Sequence, residues 1–390
     1  RDPGQARETK ATVSTYRKVS LWVIRIGLLA IPFVPLYVSN ALFFPFITGK
    51  AFIFRTIVEL VFVLWVGLML FFPEYRPKKT PLLYAIGIFL VVITLASLFG
   101  ANTAKSFWSN FERMEGLVTH LHLFAYFLVI ASTFRREQWE RFFAFFAVAG
   151  LLQSFYALSK KLVYIASPQG VFRVDGTIGN PTYLSAYLIF VVALSLIMLF
   201  RNRPSFSWKI HMWSLVAFII FFIQTTVASG VGAGVALRAN PVFWFEGLVF
   251  LVLFTTSFFF SDNPRFAKWF YGIVAFFSLL SIYFTATRGV ILALFVGIVI
   301  AGILYVIFAR PKAKTGIRSR QIAAVFLVVL ILTGVGIKVF SGSGFVKNSD
   351  ILSRIASISI AEGKSRFLIW KMGFEGFKER PILGWGLENY

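Results

Sequence analysis

The chain has 390 residues, 58% of them hydrophobic and 48 of them Phe, with a mean hydropathy of +0.78 and a formal net charge of +23. Apolar blocks about 20 residues long exclude an ordinary soluble domain and indicate a polytopic, all-α membrane protein. Cysteine is absent, which excludes disulfides, thiolate nucleophiles and zinc–thiolate sites, and the basic residues fall in short clusters between apolar blocks, as topology signals and anionic-lipid contacts do, not as a nucleic-acid surface.

Residues 1–19 read as a basic cytoplasmic tail without the pattern of a cleavable signal. A transmembrane helical domain is expected over 20–340, with about eleven spans in a bundle. These are placed near 20–39, 51–73, 81–99, 117–134, 142–159, 181–200, 210–229, 242–260, 270–286, 290–308 and 322–340. The tail, "EYRPKKT", "RREQWER", "RNRPSFSWK", "SDNPRFAK" and "ARPKAKTGIRSRQ" are rich in Lys and Arg, and the loops between them are poorer. The positive-inside rule therefore places the first set in the cytoplasm and the alternate loops, with everything after Phe340, outside. Residues 341–390 form an outer helical loop in this reading.

In the second span, Arg55 and Glu59 stand four apart, a spacing at which they neutralise each other on one helix face, and are read as structural. The long apolar run from Phe270 to Phe308 is interrupted by "TATRG". Splitting the run there gives two antiparallel spans of ordinary length, with Arg288 and Gly289 in a tight outer turn. A cation at that depth either snorkels to headgroups or is held at the mouth of a cavity for an anionic partner.

Three other outer segments carry comparable features. "VFRVDGTIGNPTYLSAYL" sets Arg173 and Asp175 before a Gly-rich turn and Asn180-Pro181 at a helix start, where exposed backbone N–H groups suit anions. "SFWSNFERMEGL" holds Trp108, Glu112, Arg113, Glu115 and Gly116. "SRFLIWKMGFEGFKERPILGWGLENY" predicts an outer helix with Arg366, Trp370 and Phe374 along one face, ended by Pro381 and a Gly-Trp-Gly turn.

These four segments, taken in chain order over roughly residues 100–390, resemble the O-antigen ligase and polymerase superfamily of bacterial membrane glycosyltransferases. The last looks like that family's Arg…Trp…Pro-x-x-Gly-x-Gly signature. The resemblance implies transfer of a glycan from an undecaprenyl-diphosphate carrier to an acceptor hydroxyl at the periplasmic face of the inner membrane, without a metal or other cofactor. The acceptor would be a glycan, lipid A core or a protein, so lipopolysaccharide biosynthesis and protein O-oligosaccharyl transfer are both implied. By resemblance Arg173, Arg288 and Arg366 engage the diphosphate, with Arg113, Asp175, Asn180 and Trp370 as candidate substrate contacts. The family's His that activates the acceptor follows the Gly-x-Gly turn and is expected beyond Tyr390, the outer loop being cut short here. Asp175, Glu112 and Glu115 are the outer carboxylates available as stand-ins.

The leaving-group chemistry points the same way. Departure of a lipid diphosphate needs its charge neutralised by a divalent metal or by fixed cations. There are three His in the chain, and two of them, His120 and His122, point about 200° apart on a helix and cannot share an ion. Guanidinium groups, which grip phosphate oxygens through two parallel N–H bonds, are the substitute. A polysaccharide or lipid-linked oligosaccharide transporter is the alternative, expected to show ionisable or broken helices at the bilayer midplane. A scaffold would need no clustered outer arginines, and convergence of Arg173, Arg288 and Arg366 on one outer cavity separates the enzyme from both.

Overall fold

The computed structural model describes residues 3–39, 41–162, 173–201, 264–308, 314–357 and 364–389. Its regular elements are helices. Eight are long and apolar enough to cross a membrane, and Leu117–Thr133 is a shorter apolar helix. The spans expected at 210–229 and 242–260 lie outside the described residues. The protein is a multi-pass membrane protein.

Helix α1 (Pro3–Ala30) runs through the basic tail without a break, because no Gly or Pro interrupts residues 5–26, so tail and first span are one helix from Pro3 onward. Pro32 and Pro35 then convert its continuation into a 3₁₀ segment, Ile31–Leu36. α2 (Thr48–Phe71) returns. α3 (Pro81–Leu98) starts with Pro81 behind Thr80, whose hydroxyl caps Leu83 N–H at 3.2 Å. A short α4 (Thr103–Trp108) leads to α5 (Leu117–Thr133), and α6 (Arg136–Leu162) and α7 (Pro181–Phe200) follow.

Beyond the gap, α8 (Pro264–Thr285) and α9 (Arg288–Phe308) meet at the interruption read from sequence, one step earlier than expected. The turn is Ala286-Thr287, with Ala286 at φ +49°, and Arg288 is the first residue of α9. Thr287 O accepts the first i+4 bond, from Ile291 N–H at 3.1 Å, so threonine holds the N-cap position and arginine moves into the helix. α10 (Lys314–Val339), two short helices α11 (Gly344–Lys347) and α12 (Asp350–Ala356), and α13 (Lys364–Glu379) complete the chain. α13 is the helix expected over these residues; α11 and α12 were not foreseen.

Hydrogen bonds and ring contacts among the described residues bring Pro35 and Lys50, the segment Ala101–Arg113, the segment Arg173–Tyr183, the turn after Phe284 and the segment Trp385–Asn389 to one loop-rich end. Two apolar cores hold the bundle. One lies among α6, α7 and α8, with Leu36 and Val174. The other joins α1, α2 and α5, with Tyr75. The first is laced with small polar groups: Ser154 Oγ is 3.3 Å from Ser278 Oγ, and Ser281 donates to Ser154 O at 3.3 Å. In a bilayer such residues let backbones approach and bond between helices.

Arg55 and Glu59 are structural: the charge of Glu59 acts on Arg55, but their hydrogen bonds go elsewhere. Arg55 donates to Met114 O and, at 2.9 Å, to Thr119 Oγ1, and Glu59 accepts from His122 Nε2 at 2.9 Å. Both side chains are satisfied across the α2–α5 boundary, where packed partners offer better geometry than a neighbour on the same helix.

Candidate functional site

The segment Arg173–Asn180 is built as a rigid plug between helix ends. Gly176 (φ +58°) and Gly179 (φ +74°) sit in the left-handed region that a Cβ resists, and Gly179 N–H closes the turn on Asp175 O at 3.2 Å. Around the turn, Lys160 Nζ lies 3.3 Å from the fully buried Asp175 carboxylate. Lys50 donates to Thr177 O at 2.5 Å. Thr177 is 2.6 Å from Gln153 Oε1 and 2.8 Å from Pro35 O. Helices α2 and α6 and the 3₁₀ segment therefore all clamp this turn, which leaves little freedom for the residue that precedes it.

That residue is Arg173. Its Nε donates to Thr285 O at 2.9 Å and an Nη to Thr287 Oγ1 at 3.1 Å, while Val174 N–H reaches Phe284 O at 3.3 Å. The plug and the α8–α9 turn are thus one unit, and it carries Arg173 and Arg288 together. Two of the five guanidinium N–H donors are spent on the turn, leaving the others for a ligand. Burial, and secondarily the charge of Arg354, hold the Arg173 guanidinium below its ordinary value.

Beside this unit lies a cavity of about 540 Å³, lined by Arg173, Thr182, Ala286, Thr287, Arg288, Gly289, Val290, Arg354 and Arg366. The three arginines singled out from the sequence share it. Arg354, on α12, is a fourth that sequence reading passed over; it was one more outer-side arginine in a segment without a recognised motif. Among the described residues no acidic or histidine side chain lines this cavity. The first turn of α9 opens against it, and first-turn N–H groups have no intrahelical acceptor, so the positive end of a 21-residue helix adds to the guanidinium charge. The arrangement suits a multivalent oxyanion.

The other expected contacts are placed differently. The start of α7 does not offer free donors, because Asn180 Oδ1 accepts from Thr182 N–H (2.8 Å) and Tyr183 N–H (3.4 Å), and Asn180 O accepts from Leu184 N–H (2.9 Å). Asn180 is a helix cap, and Thr182 takes the place beside the cavity. Asp175 is buried beneath the plug against Lys160 and lines no part of the cavity. Arg113 lies over the Tyr183 ring, 5.9 Å from its centroid, and Trp370 is 68% exposed on α13; neither lines the cavity. Glu112 and Glu115 do not line it either. Among the described residues no group of three His, Asp or Glu side chains is disposed to hold a metal ion. His120 Nδ1 faces Gly116 O at 3.2 Å, and His122 is engaged with Val118 O and Glu59.

The C-terminal helices are tied back at the Gly-Trp-Gly turn. Ala101 N–H donates to Trp385 O at 2.9 Å, and Asn389 Nδ2 bonds Asn102 O, Ser106 Oγ and Trp385 O. Arg380 lies over the Trp385 ring at 4.2 Å. Residues 273–390, which include Arg288, Arg354, Arg366 and this turn, match the family model described as O-Antigen ligase. Over that stretch the chain is similar to O-antigen ligases. The superfamily resemblance is thereby supported on independent ground for the two later segments, while the two earlier ones, with Arg173, lie upstream of the matched residues. No curated protein and no solved structure gives a match.

Proposed function

We propose that this O-antigen ligase-like protein moves a glycan from an undecaprenyl-diphosphate carrier to an acceptor hydroxyl at the periplasmic face of the bacterial inner membrane, without a metal. The observation that carries the reading is the meeting of Arg173, Arg288, Arg354 and Arg366 in one cavity where α9 begins. In the reaction the acceptor oxygen attacks the anomeric carbon, the bond from that carbon to the diphosphate breaks, and the lipid diphosphate leaves with one more negative charge. Fixed guanidinium groups and a helix N-terminus stabilise that developing charge without reorganising as it forms. The acceptor proton passes to a base outside the cavity lining described here. Glycan, lipid A core and protein remain the acceptor classes of this proposal.

Transfer by purified full-length protein from a lipid-diphosphate glycan, offered each acceptor class in turn, tests the reading. Arg288→Lys keeps the charge but loses the planar two-bond grip, so transfer is expected to fall about a hundredfold, roughly 3 kcal/mol of transition-state stabilisation, with insertion unchanged. A strong chelator is expected to leave the rate as it was. Near-normal transfer by Arg288→Lys would make the residue a snorkelling anchor. Loss under chelation restored by magnesium would overturn the arginine model, and carrier binding with no transfer to any acceptor would favour the transporter.

A further inference from the structure

The cavity has two unlike walls. Arg173 and Arg288 belong to the clamped unit formed by the plug and the α8–α9 turn. Arg354 and Arg366 come from α12 and α13, which follow the last described membrane span. α12 is itself held, because Lys338 near the end of α10 donates to Ala356 O, in its last turn, at 2.7 Å. Among the described residues, Arg354 Nε is buried and has no hydrogen-bond partner. A buried charged N–H left unpaired is costly, and among the described residues that line the cavity there is no acidic side chain to pair it. The missing acceptor is then part of a ligand.

A single phosphate group is satisfied by one or two guanidinium groups, each supplying two parallel bonds, whereas two phosphates linked through a shared bridging oxygen present more terminal oxygens along a longer axis. Resting on the reading of this cavity as a lipid-diphosphate site, we propose that its two walls divide the diphosphate. The Arg173–Arg288 unit grips one phosphate, and Arg354, with Arg366, grips the other. Arg354 is thereby the residue that makes the site select a diphosphate over a monophosphate. The consequence concerns the carrier after transfer: once a phosphatase-class reaction removes its terminal phosphate, only one wall is still engaged and the spent lipid is released.

Full-length protein in detergent is titrated with inorganic pyrophosphate and with orthophosphate by calorimetry. Wild type is expected to prefer pyrophosphate by about tenfold or more. Arg354→Gln is expected to erase most of that preference by weakening pyrophosphate about tenfold while orthophosphate changes less than about twofold. Arg288→Gln is expected to weaken both. Arg354→Lys, which preserves charge should the glutamine variant fail to insert, is expected to fall between. Phosphatidylglycerol, a phosphodiester headgroup, is expected to compete no better than orthophosphate; stronger competition would assign the cavity to ordinary lipid. Unchanged pyrophosphate binding in Arg354→Gln, with loss in Arg288→Gln, would overturn the division between walls and leave the diphosphate reading standing. Equal losses of both anions in Arg354→Gln would also overturn the division. If wild type bound neither anion, the diphosphate reading itself would fall.

Discussion

Helices α6 and α9 are both long enough to cross a membrane, yet they stand at opposite extremes. α9 is the most apolar of the eight candidate spans, and none of its apolar window is buried against protein; α6 is among the less apolar, and 72% of its window is buried. In water this order would be reversed. In a bilayer the outward face is already in an apolar solvent, so burial gains little hydrophobic energy, and helices pack where small and polar residues give contact and bonding. α6 has those residues: Ala144, Ala147, Ala149, Gly150, Gln153, Ser154 and Ala157. A Cβ placed on Gly150 would come 2.4 Å from Val191 Cγ1 of α7, so glycine is what permits the two helices to lie this close.

Three substitutions sharpen the contrast, in falling order of effect. Asp175→Ala removes the buried carboxylate that pairs with the partly buried Lys160 at the end of α6, and a loss of about 3 kcal/mol is expected in thermal or denaturant unfolding. The double variant Asp175→Leu with Lys160→Met should recover most of it, since two apolar groups leave no unpaired charge. Failure to recover would mean that the plug needs the ion pair for its shape. Next, Gly150→Leu forces α6 from α7, with about 1–3 kcal/mol lost by overpacking. A neutral result would show that α7 moves aside freely. Smallest is Leu292→Ala on the exposed surface of α9, expected to change stability by about 0.5 kcal/mol or less. A loss of several kcal/mol there would reveal a protein partner on that face in place of lipid.

The same contrast runs through the site. Arg173 comes from the segment that α2 and α6 clamp, so its position is a property of the folded core. Arg288 stands at the start of the least buried of the eight candidate spans and reaches the same cavity because Arg173 is bonded to the turn that precedes it. Substitution at Asp175 is therefore expected to act on the site through Arg173, without touching a ligand.

Much was legible without coordinates. Hydropathy marked the spans, since twenty apolar residues have one inexpensive solvent, and "TATRG" marked a break because arginine and glycine at that depth oppose a single long helix. The order of outer segments indicated Arg173, Arg288 and Arg366. Only tertiary structure decided which donors remain for a ligand. Asn180 looks from sequence like the entrance to an anion site, yet its own side chain consumes the α7 donors; Asp175 looks like an outer carboxylate, yet Lys160, fifteen residues back, neutralises it beneath the turn. Arg354 carries no local signal at all: its meaning comes from the packing of α12 beside a turn more than sixty residues earlier. Residue type and spacing state what a side chain is able to bond, but the partner it bonds is set by what the fold brings within about 3 Å, and that distance is not written in the order of the residues.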